Sequence, residues 1–414
     1  MKARQFPAVL TAAAMLFVSL PQPASAEGQS YDREVHTAKE ISAFFASHPW
    51  DMQNVSVFDA EPSLTAPFAP GSLSAETQQE LLNCLNCICY AAGLPADLTV
   101  KTDYSELAQA ASLVNRLNGK LDHDPKKPSG MSEPMFRLAS LGAGGGILSR
   151  GRPAFCQSIV EGLMGDSSEK NLPALGHRRW ILNPDLLNTG FGQTENFYAV
   201  YINDFNRQET FTGDYIAWPP PEMPYYLYSK GDRYALSVSL GSAYDTADVK
   251  KVSVDIRSEK LDRTFHLDGS CTDFNYYLTV NTALYGTGNC LIFYPGELFP
   301  ENDSVTVSIS GITKKGEPAP ITYSIQFFDM DPRQRGDCNL DGEVSVEDAQ
   351  ETLKAYTERI SGKADGLTDA QRRTADVNAD STVSVEDAQY ILKYYVSNTV
   401  AGRKVTWDAL LADM

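Results

Sequence analysis

The hexapeptide Ser-Val-Glu-Asp-Ala-Gln occurs twice near the end of this chain, at Ser345–Gln350 and again, 39 residues on, at Ser384–Gln389. At the same offset Leu353 pairs with Leu392, Lys354 with Lys393 and Tyr356 with Tyr395. An internal repeat of this kind limits the fold more than composition does, because each copy must be one small unit completed by the other. Each hexapeptide closes a loop with oxygen-bearing side chains at alternate positions. The first loop has Asp337, Asn339, Asp341, Ser345 and Asp348 at positions 1, 3, 5, 9 and 12. The second has Asp376, Asn378, Asp380, Ser384 and Asp387 in the same places.

A hard cation needs that spacing. Calcium takes roughly six to eight oxygens, and a loop of about twelve residues can wrap them round it, with position 7 giving its carbonyl. Position 7 is Glu343 in one copy and Thr382 in the other. Val344 and Val383, at position 8, are expected to pack the loops together. Residues 336–397 hold 13 acids and 6 bases, which an acidic unstructured tail could also have. Such a tail would not keep two loops in matched register, each followed by an apolar helical pattern. The loops are therefore read as binding two calcium ions.

These loops resemble the dockerin family, whose paired loops each precede one helix and end in Asp. The resemblance covers about 62 residues. It implies calcium as cofactor and, as partner, a cohesin module on the scaffoldin of a cellulosome-type assembly. By the same resemblance the partner-reading residues fall on Val346, Glu347 and Lys354, and on Val385, Glu386 and Lys393. Both copies carry the same residues, so either is expected to face a cohesin, in two orientations half a turn apart. Position 6 is Gly342 in the first loop and Ser381 in the second. A sharp turn there favours glycine, so the second site is expected to be weaker.

The rest of the chain is long enough for further domains: 414 residues with 43% hydrophobic content can fill more than one core. The net charge of −18 argues against nucleic acid and anionic membrane surfaces, both of which need Lys and Arg. Lys2 and Arg4, the apolar run Ala8 to Leu20 and Ala24-Ser25-Ala26 read as a signal peptide over residues 1–26. No later stretch is long and apolar enough for a membrane helix. A secreted, extracellular protein attached to a scaffoldin complex is expected.

Residues 27–217 are read as one domain. Helices are expected at Gln78–Ala92, at Tyr104–Asn118 with an Asp103/Glu106 capping box and a stop at Gly119, and at Pro153–Met164. A turn at Asn188–Gly192 would lead into a strand at Phe197–Ile202. Trp218-Pro-Pro-Pro marks a boundary, since three prolines stiffen a connection. Residues 218–330 show about seven alternating strands and suggest an immunoglobulin-like sandwich. A linker at 331–335, the repeat module at 336–397 and a tail at 398–414 complete the division.

Gly176-His-Arg-Arg-Trp-Ile-Leu-Asn-Pro184, followed by Thr189-Gly-Phe-Gly192, resembles the bacterial form of the CAP superfamily of cysteine-rich secretory, antigen 5 and pathogenesis-related proteins. The likeness extends loosely over residues 78–205 and implies an α-β-α sandwich. Many of its members gather two His and two acids in a cleft. Carried over by motif, these positions are His123, His177 and Asp166. The second acid falls in Gly142-Ala-Gly-Gly-Gly-Ile147, where no carboxylate stands. Two imidazoles and a carboxylate can hold zinc; they can equally bind a small ligand or serve as hydrogen-bonded scaffold.

Cys84, Cys87 and Cys89 follow a helical apolar pattern and are read as core rather than as a metal cluster. Cys271 and Cys290 could form a disulfide. Two functions compete. One is a non-catalytic component displaying a domain that binds a cell-wall, glycan or lipid ligand. The other is a hydrolase, a glycosidase or peptidase, acting outside the cell.

Overall fold

The computed structural model describes residues 30–228, 233–329, 335–339, 341, 343–378, 380, 382–403 and 405–412. The segment read as a signal peptide, most of the 331–335 stretch read as a linker, and Gly342 and Ser381 at loop position 6 lie outside the described residues. The chain is multidomain, with many β-strands, several helices and the repeat module at its end.

The first region is built on a four-stranded sheet in the order Thr99–Val100, Asn188–Thr194, Phe197–Tyr201, Gly146–Arg150. Alternation along the middle strands gives it two different faces. Ala199 and Leu148 point to one face, where they meet Ala108, Ala111 and Ala143. The helix Thr102–Asn118 lies so close there that a Cβ at Gly192 would sit 2.2 Å from the backbone of Ala108 and Gln109. Phe191, Tyr198 and Val200 point the other way, into a core shared with Phe155, Ile159 and the helix Ala75–Ala91. Helices thus cover both faces of the sheet.

Several expectations change in detail. The helix expected from Gln78 begins at Ala75, because Ser74 caps it by accepting from the Thr77 N–H. The helix expected from Tyr104 begins at Thr102, with Lys101 as a cap lacking any side-chain bond. The Asp103/Glu106 capping box therefore does not form, since both residues already lie inside the helix. Gly119 does end that helix, at φ 68°. The third helix is short: Phe155–Gln157, continued by a π-helical turn at Ser158–Leu163. Asn188–Gly192 is strand rather than turn, buried almost throughout.

A further helix, Glu133–Gly145, was not expected. Its last turn is glycine-rich, which reads as loop. The structure gives the reason for Gly142, where a Cβ would lie 1.9 Å from the Leu107 carbonyl oxygen. Two helix backbones touch there, and only glycine permits the approach.

The second region has two five-stranded sheets and a short hairpin, Thr313–Lys314 with Glu317–Pro318, which makes twelve strands among the described residues rather than about seven. One runs Glu222–Pro224, Ile321–Phe328, Ser304–Ser310, Ser253–Ser258, Arg263–Asp268. The other runs Thr272–Asp273, Tyr276–Asn281, Cys290–Tyr294, Leu236–Leu240, Tyr215–Trp218. Ile321, Tyr323, Ile325 and Phe327 alternate inward into the main core, while Thr322 and Ser324 stay exposed. The triple proline carries the chain from Tyr215–Trp218 in one sheet to Glu222–Pro224 in the other. The boundary drawn at 217/218 therefore falls inside a strand.

Cys271 and Cys290 are not bonded; all seven cysteines are free. Burial pushes the Cys290 thiol up from its ordinary pKa, which leaves it an inert core group.

In the repeat module the helices Val346–Ile360 and Val385–Tyr395 pack against each other. Val383 joins Cys338 and Ala355 in one small core. Val344 packs on the other, with Val377, Tyr390 and Ile391. Each loop's valine thus sits beside the opposite loop. Of residues 398–414, expected as a tail, the described ones fold back. Trp407 stacks on Tyr394 at 4.1 Å between ring centroids, and Leu410 is buried. No helix among the described residues is long and apolar enough to cross a membrane.

Candidate functional sites: two oxygen-lined loops and a histidine pocket

The two loops repeat one hydrogen-bond scheme. In the first, Asp341 N–H donates to Asp337 Oδ1 (3.1 Å) and Asn339 Oδ1 (2.9 Å), and Glu343 N–H donates to Asp341 Oδ1 (2.9 Å). Asp348 Oδ1 accepts from Asn339 N–H at 2.9 Å, and Oδ2 from Ser345 N–H at 2.8 Å. In the second, Asp380 N–H donates to Asp376 and Asn378, and Thr382 N–H to Asp380. Asp387 Oδ1 accepts from Val377 N–H at 3.0 Å, and Oδ2 from Ser384 N–H at 2.8 Å. Ser345 and Ser384 also cap the helices that follow, each in a capping box with the Asp three residues on.

Asp348 and Asp387 are fully buried, and their bonds are to neutral N–H and O–H donors. Burial, with Asp376 nearby, pushes the Asp387 carboxyl above its ordinary pKa. A buried carboxylate without a cation is costly, and an all-oxygen donor set suits calcium. The loop residues therefore fit that ion. Glu347, Lys354, Val385, Glu386 and Lys393 are exposed and Val346 is half-buried. Leu353 and Leu392, 44% and 42% exposed, were legible as a repeat but not as surface. They add a matched apolar residue to each face.

In the first region, His123, Asp166 and His177 line one pocket of about 380 Å³. Asp166 is buried and accepts from His177 twice, through Nδ1 (2.8 Å) and the main-chain N–H (3.0 Å). Asp166 itself sits at φ 48° and Leu175, just before Gly176, at φ 44°. Such backbone is uncommon outside glycine and clusters at functional sites. His123 Nδ1 lies 2.7 Å from the Ala143 carbonyl oxygen, which can only accept. Both rings therefore carry a proton on Nδ1, and in the neutral tautomer this selects, Nε2 is the acceptor.

The remaining wall was not found from the sequence. Gly144, Gly145 and Gly146 line the pocket, as do Trp180, Asn203 and Tyr285. Gly142 to Ile147 had drawn attention only as the stretch in which the second acid is missing. Tyr285 belongs to the sandwich, more than a hundred residues away, and no local pattern announces it. Among the described residues, no three His, Cys, Asp or Glu side chains gather closely enough to hold a metal by themselves. In the loops the donor set needs Asn, Ser and main-chain oxygens as well. In the pocket, both Asp166 oxygens are already given to His177.

None of the curated proteins compared with the chain matches it. The CAP resemblance is not supported by a family match. The matched geometry of the two loops has a counterpart in the comparison with protein families: residues 335–396 match the model of the dockerin type I domain, and the C-terminal module is a domain of that family.

Proposed function

We propose that this protein is an exported component of a cellulosome-type assembly. Its dockerin attaches it, with two bound calcium ions, to a cohesin module of a scaffoldin. The observation that carries this reading is the pair of loops with matching hydrogen bonds, each with a buried Asp at position 12 and each presenting an exposed Glu, Lys and Leu. Calcium supplies the positive charge that Asp348 and Asp387 lack. The loop backbones hold the oxygens in place, and Ser345 and Ser384 start the partner-facing helices.

The cargo is read as a CAP-like domain joined to an immunoglobulin-like sandwich, binding a cell-wall, glycan or lipid ligand in the His123/His177 pocket. The α-β-α layering and the Gly-His-Arg motif at the pocket support that reading. The Asp166–His177 pair could serve a hydrolase as a general base. However, no Ser, Thr or Cys is among the pocket's lining residues, and Asp166 is the one carboxylate there. A peptidase of the covalent type lacks its nucleophile and a glycosidase its second acid, so the non-catalytic reading is favoured. The test is retention of the full chain on immobilised cohesins, glycans and peptidoglycan, with calcium and with chelator. Chelator should release the cohesin-bound chain and leave binding through the pocket unchanged.

A further inference from the structure

Two consecutive arginines behind His177 tie the first region to the sandwich. Arg178 is fully buried. Its guanidinium donates to the carbonyls of Met164 (2.6 Å) and Ala235 (2.6 Å) and lies over the Tyr234 ring. Arg179, 2% exposed, reaches the sandwich loop that follows the strand Tyr276–Asn281. It donates to Asn281 Oδ1 (2.8 Å) and to the carbonyls of Ala283 (2.5 Å) and Thr287. Two glycines seat the same loop. The Tyr285 ring rests on Gly176, where a Cβ would lie 3.2 Å from it. Gly286, at φ 71°, brings the backbone against Arg179 and Asn183. The loop is thus clamped onto the helix that carries His177, and it puts Tyr285 in the pocket wall.

Four of the pocket's polar atoms are left open. His123 and His177 each present a bare Nε2. Trp180 Nε1 and the Tyr285 hydroxyl have no hydrogen-bond partner among the described residues. Acceptor nitrogens and donors set beside two aromatic side chains suit a ligand with both C–H faces and hydroxyls. An alkyl chain would leave these polar groups desolvated and unpaired.

We propose that the pocket is a composite saccharide site in which the sandwich supplies Tyr285 as the specificity-determining wall. This rests on the ligand-binding reading given above. Sugar hydroxyls donate to the two imidazole nitrogens, and a ring face packs on the aromatic wall that Trp180 and Tyr285 form, the latter ring being held by the Arg179 guanidinium over it.

The test is calorimetric titration of the full chain in calcium with chitotetraose, xylotetraose and cellotetraose. Wild type should bind at least one of them. Tyr285→Ala should weaken that binding tenfold or more and Tyr285→Phe by much less, with both variants melting as wild type does. His177→Ala should also lose binding. If Tyr285→Ala binds as wild type while His177→Ala does not, the composite wall is overturned and the pocket stands. If His177→Ala also binds as wild type, the pocket reading falls. Binding of none of the three sugars overturns the saccharide class.

Discussion

The dockerin and the histidine pocket are assembled in opposite ways. Each oxygen-lined loop takes every side-chain oxygen from twelve consecutive residues, Asp337–Asp348 or Asp376–Asp387. The pocket collects His123, the turn at Gly144–Gly146, Asp166, His177 and Tyr285, spread over more than 160 positions and two regions. The first site is a property of a segment, the second a property of packing. The difference predicts that the module depends on its ion, while the pocket depends on tight backbone contacts.

Removing calcium breaks that comparison most strongly. Chelation should unfold the C-terminal module, because buried Asp348 and Asp387 then lack a counter-charge, and should leave the first two regions folded. Circular dichroism would show a partial helix loss, and calorimetry an unchanged main transition. Loss of the main transition as well would show that the regions do not fold independently.

The partner faces come next. Changing Val346 and Glu347 together to Ala should weaken cohesin binding only about twofold, the statistical cost of losing one of two modes. Changing Val385 and Glu386 as well should abolish it. A large loss from the first pair alone would mean one orientation only.

Gly192→Ala probes the packed region. Its Cβ would collide with the backbone of Ala108 and Gln109, so a cost of about 3 kcal/mol is expected. The main melting transition should fall, while calcium binding stays as it was.

The smallest effect concerns His266. Its hydrogen bond to Asp255, 2.7 Å long, raises its pKa above the ordinary 6.5. The stabilisation is therefore complete below that ordinary value and fades as pH rises through the raised one. Asp255→Asn should return the NMR titration of His266 to the ordinary value and lower the melting temperature slightly, at acid pH only.

Legibility followed the same division. The loops, their capping serines and their helices could be read because spacing alone sets their geometry. His123, Asp166 and His177 line one pocket, but their neighbours could not be read. Trp180 lies three residues from His177, yet nothing local marks it as pocket wall. Tyr285 reaches the site through hydrogen bonds from Arg179 to main-chain carbonyls, which leave no trace in residue type. The glycines of the Glu133–Gly145 helix misled for a related reason. Gly142 serves a helix contact with Leu107, and Gly192 serves a sheet–helix contact with Ala108. Both are tertiary demands that resemble turn signals. The unformed Asp103/Glu106 box shows how a short pattern can be matched two residues inside the true start of a helix.

The central claim is that the repeated loops are two calcium sites that hold the docking module together. Calorimetric titration of calcium into the metal-free full chain tests it most directly. Two ions per chain are expected, the weaker in the Ser381 loop, with Asp348→Ala removing the tighter ion and Asp387→Ala the weaker. Absence of calcium binding, or full binding in the doubly substituted chain, would contradict it.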